Sequence, residues 1–174
     1  MPSESDEVQS LLLARMESMF DVLTANFSSI HGKRLHLGQI ETYGTVTLTE
    51  DKKSTKPERN AKAMVEFFID VELDCCNASG AAHGGFIAWL IDVCSSAALV
   101  PLASDKHWAY PGVSTNLNIH YISAAPVGTK LRVRSTVLQF GKTTAILDAK
   151  VEDMKTGRLV ATGSHMKMDV RFKL

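Results

Sequence analysis

An α+β domain is predicted: one antiparallel sheet of five or six strands wrapped around one long apolar helix, with a second helix at the N-terminus. Three observations predict it. Residues 77–101 open polar and glycine-rich, then run for about four turns with Asp92 as their single charge. Residues 113–168 repeat a period-two pattern between tight turn signals. Residues 6–30 set Val8, Leu11, Leu12, Met16, Met19, Phe20, Leu23, Phe27 and Ile30 at the three-and-four spacing of an amphipathic helix, with Gly32 as its stop.

The totals narrow the class. A chain of 174 residues is the size of one ordinary domain. Lys+Arg and Asp+Glu are both 19, so no global field recruits nucleic acid or an anionic membrane. The central apolar stretch is too short and isolated for a membrane span. Cys75, Cys76 and Cys94 are an odd, clustered set without metal-site spacing, which suits buried thiols in a reducing compartment. The N-terminus is acidic and lacks the arginines of a transit peptide, and no signal-peptide core follows, so a cytoplasmic protein is expected, with a mitochondrial one as the alternative.

Taken in order, residues 39–49 have strand composition. Residues 50–62 are charged, contain a proline and read as a long exposed hairpin loop. In residues 63–73, Met64, Glu66, Phe68, Asp70 and Glu72 alternate with Ala63, Val65, Phe67, Ile69, Val71 and Leu73. After the central helix, residues 104–110 form a loop and Pro111-Gly112 a turn. Val113, Thr115, Leu117, Ile119 and Tyr121 are expected on one face of the next strand, with Ser114, Asn116, Asn118 and His120 on the other. Residues 130–140, 143–153 and 158–168 follow as strands joined by hairpins at Gly141-Lys142 and Thr156-Gly157, so these neighbours run antiparallel.

The chemistry concentrates around the central helix. Its start, His83-Gly84-Gly85, offers unpaired amides and partial positive charge, with no side chain to hinder close approach. The Gly84 amide suits an oxyanion in acyl transfer. The bland alternatives are close packing for the glycines, capping or core for His83 and turn formation for Asn77. Asp92 in apolar surroundings needs a partner or a use. Ser95 and Ser96, at i+3 and i+4, are the bland partners.

His83 and Asp92 are nine residues apart. At ~100° and ~1.5 Å per residue that is about half a turn out of phase and ~13 Å along the axis. If both are helical they point apart, and a two-fold dimer with central helices side by side would set Asp92 of one chain against the helix start of the other.

These residues carry a resemblance. Asn77, Gly80, His83, Gly84, Gly85 and Asp92 fall in the order N-x-x-G-x-x-H-G-G-x-x-x-x-x-x-D, which resembles the signature of hotdog-fold acyl-CoA thioesterases of the phenylacetate-degradation type. The similarity continues through Pro111-Gly112-Val113-Ser114, Asn118-Ile119-His120-Tyr121, Gly128, Gly141-Lys142-Thr143 and the hairpin from Thr156 to Ala161, covering about residues 63–168. It is closest to the short eukaryotic members. The resemblance implies residues 1–34 as an N-terminal helical extension and 35–174 as the hotdog thioesterase domain. It implies a homodimer or dimer-of-dimers with active sites between subunits, and an acyl-CoA substrate. It implies Asp92 as general base or nucleophile, Asn77 positioning the water, Gly84 as oxyanion donor, His83 orienting the thioester and Ser114 supporting the site from the partner side. No metal or redox cofactor is required, coenzyme A being part of the substrate.

Gly85, Ser95 and Ser96 are further expected at the substrate. Lys142, Arg158 and Lys167, with Lys130, Arg132 and Arg134, are the cations available to the CoA phosphates. Trp89 is bulkier than the family leads one to expect, either reshaping an acyl tunnel or packing in the core. Two rivals remain: a hotdog-fold enoyl-CoA hydratase or dehydratase, and a non-catalytic acyl-CoA-binding module. Ser114 lacks the G-x-S-x-G surroundings of a hydrolase nucleophile.

Overall fold

The computed structural model describes residues 4–25, 29–50, 55–58, 60–104 and 107–170. The elements are α1 (Glu4–Thr24), α2 (Ser29–Gly32), β1 (His36–Tyr43), β2 (Val46–Leu48), β3 (Thr55–Pro57), β4 (Lys62–Asp70), α3 (Gly84–Ala97), β5 (Val113–Tyr121), β6 (Lys130–Phe140), β7 (Thr144–Asp153) and β8 (Leu159–Met168). Six strands form one antiparallel sheet in the order β1-β4-β6-β7-β8-β5. α3 packs against β4, β5, β6, β7 and β8, as the expected wrapped sheet requires.

In β4 the expected inward row, Ala63, Val65, Phe67 and Ile69, is buried, but Met64 and Glu66 of the other face are buried too, and the strand ends at Asp70, leaving Leu73 exposed in a helical turn. Leu131, Val133 and Val137 of β6 and Leu147 and Val151 of β7 complete that core face. Gly163 of β8 lets α3 sit close, because a Cβ there would lie 2.5 Å from Ile91 Cγ2. Contrary to the expectation that the central stretch is too short, Gly84–Leu102 is long and apolar enough to cross a membrane, but 83% of it is buried inside the fold.

Four further expectations need correction. The strand expected over 39–49 is broken at Gly44, whose φ of 84° turns the chain into the separate β2–β3 hairpin. The loop expected over 50–62 is therefore not simply exposed: Thr55 is fully buried and its hydroxyl donates to Ala103 O at 2.8 Å. Residues 51–54 lie outside the described residues. The single helix expected over 6–30 ends at Thr24, with α2 following as a separate turn; Phe27 also lies outside. Finally, a register shift between Ser114 and Asn116 reverses the faces at the start of β5. Ser114 pairs across β8 with buried Lys167, and Leu117 with buried His165, so Ser114 turns toward the helix with Leu117.

The N-terminal segment shares the core. Leu12 and Met16 are buried, and Phe20 stacks on Phe67 with centroids 5.4 Å apart. Arg15 Nη1 donates to Ala103 O at 2.8 Å, tying α1 to the chain after α3.

Candidate active site

α3 is buried on every side but one. Gly84, Gly85, Ala88 and Asp92 are its only residues that are not buried, and the last three follow the spacing of one helix face. The Asp92 side chain is 45% exposed. The strip faces the start of β5, because Asp92 Oδ1 accepts from Ser114 Oγ at 3.3 Å.

Behind this pair lies a polar layer the sequence pattern concealed. His165 is fully buried on β8, with Nε2 2.9 Å from Ser114 Oγ and 3.6 Å from Asp92 Oδ1, and Nδ1 2.6 Å from Ser95 Oγ. With the tautomer protonated on Nε2, Nε2 donates to Ser114 and Ser114 donates to Asp92, while the single Ser95 proton is shared between Nδ1 and Ile91 O, which Ser95 Oγ approaches at 2.5 Å. Burial, then the Lys167 charge, push the His165 pKa down to about 4 against the opposing pull of Asp92. The imidazole is thus neutral near pH 7. Lys167, also buried, donates from Nζ to Ser96 Oγ at 2.7 Å and to Ser114 Oγ at 3.4 Å. Burial lowers its pKa, with Asp92 pulling the other way.

This placement corrects three assignments. Ser95 and Ser96 do not satisfy the Asp92 carboxylate, and they do not line an open substrate surface: they are buried and bonded to His165 and Lys167. Lys167 points inward and is not available to phosphates. On β8 the inward row is Ala161, Gly163, His165 and Lys167, while Met166 and Met168 are exposed, the reverse of what hydrophobicity suggests. The inward phase is fixed by the neighbouring strands, where His165 stands beside Leu147 and Leu117.

The helix start forms a second group. His83 is the N-cap in extended conformation, so it is not helical, and its Nδ1 accepts from Gly85 N at 2.9 Å. That engages the Gly85 amide. Among the described residues the Gly84 N–H makes no hydrogen bond, which leaves it the open donor. Tyr121, which the sequence placed on a strand and in the family resemblance without a role at the site, donates to Gly84 O at 3.1 Å and lays its ring over the glycine, 3.6 Å from where a Cβ would be. Asn77 Oδ1 accepts from Ser79 N, Ser79 Oγ and Ala81 N, so its carbonyl shapes the loop into the helix. Asn77, Gly84, Ile87, Tyr121, Ala124 and Val160 line a cleft of 380 Å³.

Of the expected cations, Arg158 does not line this cleft but is tied to it, donating to Ala124 O at 2.7 Å. Lys142 lies beside Phe140 and Gly141 with Leu102 and His107, beyond the far end of α3. Arg132 and Arg134 are paired with Glu152 and Glu66. Trp89 is core: it is buried, with its ring 6.0 Å from Phe86 and 5.7 Å from His31.

Gly84 and Asp92 are eight residues apart on α3, ~12 Å along its axis. One chain therefore presents an amide donor in a cleft and, two turns on, a carboxylate with a hydroxyl and a neutral imidazole behind it. A general base and an oxyanion donor are the two halves of an acyl-transfer site.

The known proteins that the chain is similar to are named as thioesterases. A family model described as the thioesterase superfamily matches residues 79–160. Acyl-coenzyme A thioesterase 13 of Homo sapiens is 39% identical over 99 residues, 57% of this chain and 68% of the relative. The crystal structure of thioesterase superfamily member 2 from Mus musculus superposes with a TM-score of 0.63 at 25% identity, over 88% of this chain and 96% of that one. A hypothetical thioesterase from Streptococcus pneumoniae, in a structure with coenzyme A, gives 0.55 at 25% identity over 60% and 77%. The chain belongs to the thioesterase superfamily, and its fold is the hotdog.

Proposed function

We propose that the chain hydrolyses acyl-CoA thioesters to free acid and coenzyme A. The observation that carries this reading is Asp92: a half-exposed carboxylate on an otherwise buried helix, held by Ser114 with neutral His165 behind it. Asp92 takes a proton from water, which attacks the thioester carbonyl carbon. The carbonyl oxygen becomes an oxyanion against the Gly84 N–H. Collapse of the tetrahedral adduct expels the CoA thiolate, a leaving group good enough to need no strong general acid. Asn77 and His83 shape the amide end of the site, and Arg158 meets the CoA phosphates at the cleft mouth.

The two halves come from two chains. Among the described residues β5 is an edge strand paired only with β8, and it carries both Ser114 and Tyr121. Pairing this edge with its symmetry copy makes one continuous sheet and sets Asp92 and Ser114 of one subunit opposite Gly84 of the other.

The experiment is thiol release from a panel of acyl-CoAs of graded length, with wild type beside Asp92→Asn. Turnover in the wild type that falls by at least ~100-fold in the variant supports the reading. A folded wild type that releases no thiol from any member refutes it and points to the binding module.

A further inference from the structure

A cluster outside this site is unexplained by acyl transfer. His31 of α2 meets Asp74 and Cys75 of the helical turn Leu73–Cys75, 44 positions further along the chain in the case of Cys75. Cys75 Sγ lies 3.7 Å from His31 Nδ1 and 3.4 Å from Asp74 Oδ1, and His31 Nδ1 lies 3.9 Å from Asp74 Oδ2. All three donors lie within 4.8 Å of one another. Tetrahedral zinc with imidazole, carboxylate and thiolate ligands needs ligand atoms about 3.3–3.6 Å apart, so small side-chain adjustments suffice.

One cation already stands among them. Arg34 Nη2 is 2.6 Å from His31 Nδ1, 3.0 and 2.9 Å from the two Asp74 oxygens and 3.5 Å from Cys75 Sγ. Arginine only donates, so His31 Nδ1 presents its lone pair toward the centre, as a metal ligand must. The guanidinium is an imperfect occupant. It meets the three donors through the single nitrogen Nη2, and its buried Nε makes no hydrogen bond. Its Nη1 is ion-paired with Glu72, which gives the side chain a place to go.

We propose that His31, Asp74 and Cys75 form a binding site for a zinc-class divalent cation, for which the Arg34 guanidinium is a resident competitor. On binding, the Cys75 thiol gives its proton to solvent and its sulfur bonds the metal; the Arg34 side chain moves toward Glu72; water takes the fourth position. The metal joins α2 to the segment that leads into the site. Cys75 O accepts from His83 N at 2.7 Å, and His31 packs on Phe86 and Trp89 of α3. Zinc therefore fastens the N-terminal segment to the helix start.

The test uses the full chain, freed of metal and titrated with Zn²⁺ by calorimetry and thermal melting. One ion per chain is expected, with proton release and a rise in Tm of roughly 5–10 °C at zinc ~100-fold above its Kd. Cys75→Ser and His31→Gln lose this binding, and Cys76→Ser keeps it. Arg34→Met, which removes the competitor, tightens binding at least tenfold, by about 1.4 kcal/mol; a purely structural arginine would give no gain in affinity. Cobalt(II) added to the wild type gives a near-ultraviolet thiolate-to-metal band, a readout independent of how any variant folds. Absence of that band and of stoichiometric zinc binding overturns the proposal, as does zinc binding that survives Cys75→Ser and His31→Gln or weakens in Arg34→Met.

Discussion

Ser114 Oγ stands 3.3 Å from Asp92 Oδ1, joining the edge strand to the open strip of the central helix. A hydrogen bond to a charged group is worth about 1.5–3 kcal/mol, so Ser114→Ala is expected to lower kcat by roughly 10- to 100-fold. The KM for acyl-CoA should change little, because the hydroxyl acts on the base. Steady-state thiol release gives both numbers; a kcat within twofold of wild type would remove Ser114 from the machinery.

His165 makes stability depend on pH. Its pKa is about 4 in the fold, chiefly through burial, against 6.5 for a free imidazole. Between these values the unfolded chain binds the extra proton, so stability is lost as pH falls from 6.5 toward 4 and is retained above. At 1.36 kcal/mol per unit the loss reaches roughly 3 kcal/mol. Urea unfolding at pH 7, 6 and 5 should show a shallower decline for His165→Gln than for the wild type. Equal slopes would mean that the fold holds His165 no more neutral than water does.

Gly163→Ala drives a methyl group against Ile91, the neighbour of Asp92. Overpacking of this kind costs about 1–3 kcal/mol, or roughly 2–12 °C in Tm at this chain length. Activity should fall with it, since α3 carries the carboxylate. A variant with unchanged Tm would show that helix and sheet have slack at this point.

The N-terminal helix is expected to behave as core. Met16 is 1% exposed, and Met16→Ala should cost about 2–4 kcal/mol in chemical denaturation, with one cooperative transition. A separate early transition, leaving the main one in place, would instead mark residues 1–34 as an independent appendage.

The sheet and both long helices were legible because their signals are periodic: Ala63 to Val71 alternate without a break, and nothing competes with the apolar run of α3. The β2–β3 hairpin was not, because three-residue strands carry no period and Gly44 looks like any other glycine before a charged loop. The site was half legible. Asn77, His83, Gly84, Asp92 and Ser114 stand out by type and order, and the structure brings Asp92 to Ser114. His165 and Lys167 were hidden because polar side chains on a strand are read as outward-facing. Here the register against Leu117 and Leu147 turns them in, and Ser95 and Ser96 supply the partners that make their burial tolerable. A bulge at residue 115 cannot be seen from alternation alone, yet it decides which face Ser114 occupies.

The central claim is that one site takes its carboxylate from one chain and its oxyanion donor from another. Subunit complementation tests it most directly. Asp92→Asn and His83→Ala chains, each folded and each inactive alone, are mixed in equal amounts and allowed to exchange, with exchange followed by mass. Random pairing of a two-fold dimer restores about a quarter of the wild-type sites, so the account predicts about a quarter of wild-type thiol release. Exchanged heterodimers with no activity would contradict it and return both halves of the site to a single chain.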